Sequence, residues 1–253
     1  MITDSNEELI LIDGVSSGIG LCTAKILLEK GKKVVGLARN CEKVSHLLTS
    51  FNNQFFFEEI DLSANLDLIS DFIDMLACKY GKFSGFVHSA GVLNPAPLKI
   101  WNYENAIKDF NVNIFSAVEI IKALRKKNIR QSFLNIVLVS SIAANNGNPG
   151  SITYAMSKAA IDNLVISLTK EIGKEKIRIN SVRPGWTDTD LVKKYNKIID
   201  KNFLQEASLH TPFKEFGKPE YIANVITFLL SNLSYWIQGQ NITVDGAETL
   251  GSI

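Results

Sequence analysis

The feature that most restricts the fold is an alternation. Short β-branched runs, nearly continuous in apolar residues, take turns with longer stretches whose apolar residues recur three and four apart. Leu9–Ile12, Lys33–Leu37, Phe55–Ile60, Gly85–His88, Ile136–Ser140, Arg178–Val182 and Ile242–Val244 read as strands. Leu21–Glu29, Leu66–Tyr80, Tyr103–Lys126 and Tyr154–Gly173 read as helices. Strands that are apolar throughout are buried on both faces. Strand and helix in alternation therefore predict an α/β protein whose parallel sheet is covered by helices on both sides. No repeat, low-complexity segment or linker interrupts the 253 residues, so one domain over 1–253 is expected. The one long irregular stretch, 186–219, is rich in lysine and aromatics and is expected to form a lid or substrate loop.

Composition excludes several function classes. Lysine and arginine number 27 against 26 acids, a net charge of +1, which favours neither nucleic acid nor an anionic membrane as partner. Apolar runs stop far short of the ~20 residues a membrane helix needs. The N-terminal MITDSNEELILI places acids, not basic residues, before its apolar run, unlike a signal peptide. Cys22, Cys41 and Cys78 are scattered and form no CxxC, so neither a metal site nor a disulfide framework is expected. A soluble cytoplasmic protein is the expectation.

The first strand runs into Asp13-Gly14-Val15-Ser16-Ser17-Gly18-Ile19-Gly20 and then a helix. Glycines there permit a sharp turn and a close approach to a pyrophosphate, and the following helix offers unpaired N–H groups and a positive dipole end. The second strand ends Leu37-Ala38-Arg39-Asn40. An acid at this point would bind the ribose 2′-hydroxyl of NAD; Arg39 suits the 2′-phosphate of NADP, so NADP(H) is expected, with NAD(H) as the alternative. Asp61, closing the third strand, is open between a contact to the adenine amino group and a helix N-cap.

Tyr154 and Lys158 stand one helical turn apart on one face. A tyrosine titrates near 10 and is a poor acid or base at neutral pH; bringing it to about 7 takes roughly 4 kcal/mol. An ammonium about 4–5 Å away supplies on the order of 3–4 kcal/mol at an effective dielectric of 20. That makes Tyr154 a candidate proton donor or acceptor and Lys158 its tuner. Ser141 follows the strand Ile136–Ser140 at its carboxyl end, where α/β sheets hold ligands, and its hydroxyl could bond a substrate oxygen; a loop cap is its other reading. Ser140 points the other way. Asn113 is an amide in an otherwise apolar helical pattern, open between holding a water in a relay to Lys158 and being satisfied by backbone.

These pieces resemble the short-chain dehydrogenase/reductase family in its compact form, over residues 8–247. The likeness is carried, in order, by Gly14, Gly18 and Gly20; Asp61-Leu62; His88-Ser89-Ala90-Gly91; Asn111-Val112-Asn113; Ser141; Tyr154 and Lys158; Pro184-Gly185 with Thr189; and Gly239 with Val244-Asp245-Gly246. The resemblance implies a Rossmann-like doubly wound fold with seven parallel strands. It implies an Asn113–Ser141–Tyr154–Lys158 tetrad that interconverts a carbonyl and a secondary alcohol with a nicotinamide cofactor. It also implies Leu62, Ala90, Gly91, Pro184, Gly185, Thr187 and Thr189 along that cofactor, and a homotetramer, or a dimer, paired through the two long helices. Asp13 stands where the family usually has threonine and His88-Ser89 where it has two asparagines, so His88 is expected to make a different, structural bond. The chain is similar to the 3-oxoacyl-[acyl-carrier-protein] reductases, but Ser132 and Glu175 stand where those enzymes tend to carry arginine. Lys127, Arg130, Lys174 and Lys176 lie near as substitutes. The loop Asn145-Asn146-Gly147-Asn148-Pro149 offers amides that a keto sugar derivative could use, or a plain turn. Substrate candidates are thus a 3-oxoacyl thioester or a keto sugar. The competing function is a silent dinucleotide-binding scaffold, whose mark would be a broken tetrad; this tetrad is intact.

Overall fold

The computed structural model describes residues 8–193 and 211–250. Seven strands form one parallel sheet in the order β3-β2-β1-β4-β5-β6-β7. They are β1 Leu9–Asp13, β2 Lys33–Ala38, β3 Phe55–Glu59, β4 Phe83–His88, β5 Arg130–Val139, β6 Ile177–Pro184 and β7 Asn241–Val244. Every residue of β1 and β4 is buried, the result expected of strands covered on both faces. The helices are α1 Gly18–Glu29, α2 Ser45–Ser50, α3 Ile69–Tyr80, α4 Tyr103–Phe110, α5 Ser116–Leu124, α6 Ala143–Asn146, α7 Ile152–Ile172 and α8 Pro219–Leu230.

Two apolar layers sandwich the sheet. On one side Ile69, Ile73 and Leu76 of α3, Ile120 and Leu124 of α5, and Ile161 and Val165 of α7 pack on Leu11, Phe86, Ile136 and Ile179. On the other, Ala24 and Leu27 of α1, Leu47 of α2, and Ile222 and Ile226 of α8 pack on Ile10, Ile12, Val87 and Val182. The strand order reverses direction between β1 and β4, and the carboxyl ends at such a switch open a crevice. Among the described residues no helix is long and apolar enough to cross a membrane.

Two differences from the sequence expectation matter. The helix expected over Tyr103–Lys126 is broken at its centre by a π turn, Asn111–Phe115. Apolar spacing hardly changes when one extra residue enters a turn, so periodicity could not reveal it; π turns gather at functional sites. The strand expected to begin at Ile136 starts at Arg130, and its last residue is Val139, one short of the expected end. Of the expected lid, 194–210 lies outside the described residues, including Lys194, Lys197 and Lys201; Lys193 pairs with Asp188 at 2.9 Å. Helix α8 went unread although Pro219 opens it at a first-turn position and its apolar residues follow helical spacing.

Candidate active site

A cavity of about 660 Å³ runs across the carboxyl ends of the central strands. At one end the turn after β1 contributes Gly14, Ser16, Ser17, Gly18 and Ile19, and Arg39, Asp61 and Leu62 line the adjoining wall. Gly14 holds a left-handed φ of +62°, and a Cβ there would lie 2.6 Å from the backbone nitrogen of Ala90, so only glycine fits. Ser17 at the N-cap of α1 makes no side-chain cap bond, and the first turn holds no acid, leaving N–H groups and the positive dipole end facing the cavity. Gly20 is not on the wall; it packs against Ser89 and the Gly14 carbonyl. Arg39 is exposed at the rim. Asp61 accepts from the backbone N–H of Ser63 at 2.9 Å, which together with the nearby Arg39 charge lowers its carboxyl below the ordinary value.

Ser141, Tyr154 and Lys158 line the same cavity, joined to the glycine turn by Ala90 and Gly91 from the exit of β4 and by Pro184, Gly185, Thr187 and Thr189 from the exit of β6. Lys158 is 3% exposed, donates to the Val139 carbonyl at 2.7 Å and holds its Nζ 5.6 Å from the centre of the Tyr154 ring. Burial lowers its ammonium to about 8, against the pull of Asp13 and Asp162 in the other direction. Burial pushes the half-buried Tyr154 phenol above its ordinary value, and a hydrogen bond with the Ser141 side chain works against that. An ammonium so placed, 5.6 Å from the centre of the ring, favours the charged phenolate over the neutral phenol. Ser141 also accepts from the Ala143 N–H at 3.1 Å, the contact that the loop-cap reading expects. Ser140 faces away and donates to the Lys158 carbonyl at 3.1 Å.

Asn113 lies behind the wall, fully buried in the π turn. Its Oδ1 accepts from the Val92 N–H at 2.7 Å and its Nδ2 donates to the Val92 carbonyl and to Ser157 Oγ, each at 3.0 Å. The amide is thus bonded on both its oxygen and its nitrogen, to the backbone of Val92 and to the hydroxyl of Ser157. Thr187 donates to the Gly185 carbonyl at 2.9 Å, and Thr189 packs near Gly18. Several wall residues escaped the sequence reading, Trp186 and Glu248 among them. Trp186 was placed only in the lid, and Glu248, which accepts from the Trp186 N–H at 3.0 Å, was not singled out. No local signal marks Glu248; the parallel pairing of β6 with β7 carries the segment after β7 to Gly185.

With this geometry in place, three comparisons bear on the chain. Residues 14–247 match the family model described as enoyl-(acyl carrier protein) reductase. The 3-oxoacyl-[acyl-carrier-protein] reductase FabG of Chlamydia trachomatis is 31% identical over 240 residues, covering 93% of this chain and 95% of that one. The 7alpha-hydroxysteroid dehydrogenase of Escherichia coli is 30% identical, covering 93% and 92%. Among solved structures, a short chain dehydrogenase family protein of Francisella tularensis superposes with a TM-score of 0.84 at 27% identity, covering 96% of this chain and 99% of that one. The aldohexose dehydrogenase of Thermoplasma acidophilum does so with a TM-score of 0.86 at 25% identity, covering 96% and 94%.

Proposed function

The chain belongs to the short-chain dehydrogenase/reductase family, whose members use nicotinamide dinucleotides to interconvert carbonyls and alcohols, and from that premise we propose that Tyr154 is its acid/base, Ser141 its substrate anchor and Lys158 the tuner of Tyr154. The observation that carries the reading is the meeting of Ser141, Tyr154 and the buried Lys158 in one cavity that also holds an open helix N-terminus and glycine turn.

The residues fit the cofactor. Backbone N–H groups at the start of α1 would take the pyrophosphate, Arg39 a 2′-phosphate, Asp61 and Leu62 the adenine side, and Ala90, Gly91, Pro184, Gly185, Thr187 and Thr189 the remainder of the dinucleotide. When bound, the nicotinamide supplies or takes up the hydride. The protein moves the proton: in reduction Tyr154 gives its phenolic hydrogen to the substrate oxygen, which Ser141 holds by a hydrogen bond, and the Lys158 ammonium stabilises the phenolate left behind. Oxidation runs the same transfers backwards. Asn113 grips Val92 and Ser157 and so supports the wall behind Lys158.

For substrate, the reading is a small hydroxylated ketone. Asn146 and Asn148 line the same cavity as Ser141, and their side-chain amides suit hydroxyls. Of the four basic residues named as substitutes for a carrier-gripping arginine, Arg130 is engaged within the fold. Arg130 is 5% exposed and donates to the carbonyls of Arg125, Gln131, Ser132 and Glu175, while Arg125 pairs with Glu175 at 2.6 Å. A homo-oligomer paired through α5 and α7 completes the reading; it would cover Phe115, Met156 and Ile166, all exposed. The test is oxidation of NADPH and NADH against a panel of ketones, keto sugars and acyl thioesters. Turnover is expected with a hydroxylated ketone; binding of the dinucleotide with no turnover on any member would overturn the catalytic reading.

Two further outcomes follow from single groups. Arg39→Asp replaces a phosphate-binding cation with an acid suited to a 2′-hydroxyl, so the NADPH over NADH preference should drop by on the order of a hundredfold, as expected when a charge-assisted bond becomes a repulsion. Titrations of both dinucleotides read this directly, and an unchanged ratio removes Arg39 from the account. With Lys158 at about 8, kcat/KM for reduction should be level below that pH and fall above it, as the ammonium that supports phenolate is lost. Lys158→Arg remains charged throughout, so its slower reaction should lack that alkaline limb. A limb unmoved in this variant would assign the titration to another group.

A further inference from the structure

Parallel pairing sets Asp13 directly beside His88, at the carboxyl ends of the two strands that flank the switch in strand order. Both side chains are wholly buried. His88 Nδ1 lies 2.6 Å from Asp13 Oδ2, and Nε2 lies 3.0 Å from the backbone carbonyl oxygen of Asn113. The other carboxylate oxygen, Oδ1, accepts from the N–H groups of Ser89 and Ala90, each at 2.7 Å.

These contacts determine where the protons sit. A carbonyl oxygen only accepts, so Nε2 must carry a hydrogen. A neutral ring protonated there would turn the Nδ1 lone pair toward a carboxylate, which also only accepts, across 2.6 Å. The alternative neutral tautomer satisfies Asp13 but leaves the Nε2 lone pair facing the Asn113 carbonyl. Each one-proton arrangement contains a repulsion between two acceptors in a buried place. Two protons satisfy every contact, and the close approach of Nδ1 to Oδ2 needs a hydrogen between them.

We propose that Asp13 and His88 form a two-proton dyad, one hydrogen on Nε2 and one between Nδ1 and Oδ2, which acts as a positioning element for the active site. The dyad closes a ring of bonds. Asp13 holds the amides of Ser89 and Ala90; His88 holds the Asn113 carbonyl in the π turn; the Asn113 side chain holds Val92 on both its N–H and its carbonyl. The cavity-wall segment Ser89–Val92 is thereby clamped at both ends. Lys158 lies against it, its Nζ 3.6 Å from where a Cβ on Gly91 would be. The charged side chain that faces the dyad from α7 is Lys158, which feels Asp13 and, on its own helix, Asp162. A shift of His88 would pass through Asn113 to the wall that supports that lysine.

The kinetic part of this inference rests on the proposed oxidoreductase reading; the proton part does not. Protein labelled with ¹⁵N at its three histidines, held at about pH 8 where a free imidazole is mostly neutral, would be observed by NMR. One histidine is expected to show hydrogens on both ring nitrogens, and that signal should vanish in His88→Asn. In Asp13→Asn the amide can donate to Nδ1 and still accept from Ser89 and Ala90, so His88 should keep a hydrogen on Nε2 alone. His88→Asn should lower kcat on the order of tenfold or more while NADP(H) affinity stays within about threefold, because the Asp13 clamps on Ser89 and Ala90 remain; displacements of about 1 Å carry costs of this size. A singly protonated His88 in the unaltered protein, a two-proton ring surviving Asp13→Asn, or an unchanged kcat in His88→Asn each overturns the proposal. Absence of turnover with every substrate would sink the oxidoreductase reading while leaving the NMR result to decide the dyad.

Discussion

Tyr154→Phe is expected to lower kcat by about three orders of magnitude, the scale of a lost general acid, with dinucleotide affinity changed by no more than a few-fold. The substitution removes one oxygen and leaves the ring, so the cavity wall and the packing of α7 persist. What goes is the hydrogen that the proposed mechanism delivers to the substrate oxygen, and the interaction with the Ser141 side chain. Ser141 remains, but a serine hydroxyl is too weak an acid to take over at neutral pH, and Lys158 sits behind the ring with its Nζ donating to Val139. A loss of that size corresponds to roughly 4 kcal/mol of barrier. Rapid-mixing measurement of dinucleotide oxidation separates the chemical step from release, and fluorescence titration follows binding. Undiminished turnover in the variant would refute the assignment of Tyr154, whatever the substrate.

The largest effect on stability is expected from Arg178→Met. Arg178 is 4% exposed, and its partners are neutral oxygens: Asn135 Oδ1 at 2.9 Å, the Leu229 carbonyl at 2.6 Å, the Ser231 carbonyl at 3.0 Å, and Ser234 through both its carbonyl and its hydroxyl. Burial lowers the guanidinium to about 10, so it stays charged at neutral pH. It caps the carboxyl end of α8 and ties that helix to β5 and β6, satisfying carbonyls that a helix end leaves without partners. Methionine fills much of the space and donates nothing. Several buried acceptors then lose their partner at about 1–3 kcal/mol each, partly offset by no longer burying a charge. A net loss of about 4 kcal/mol follows, read as a lower urea midpoint with little change in slope. Arg178→Lys should recover only a minority of it, since one ammonium cannot span acceptors that a planar fork reaches. A loss below about 1 kcal/mol for Arg178→Met would mean that solvent or local rearrangement satisfies the end of α8.

Much of the candidate site was legible in the amino-acid sequence. The glycine turn after β1 is a local pattern, and its left-handed Gly14 is a local requirement. Tyr154 and Lys158 share a face because helical periodicity puts them there. Ser141 follows from its place just beyond an apolar run. The role of Asn113 was only half legible, since its polar character in an apolar pattern shows in the sequence but the π turn and the grip on Val92 do not. The same limit applies to Arg130, named as a candidate surface cation and found buried among backbone carbonyls.

What the chain determines by itself is therefore the set of elements, the crevice end of the sheet and the residues one or two turns apart that share a face, because propensity and periodicity act over neighbouring residues. What only the tertiary structure decides is which distant positions meet: Asp13 with His88, Glu248 with Trp186, Arg178 with the end of α8. In a parallel sheet adjacent strands are joined by crossovers, so the partner of a strand end is set by strand order and register, which no stretch of sequence encodes locally.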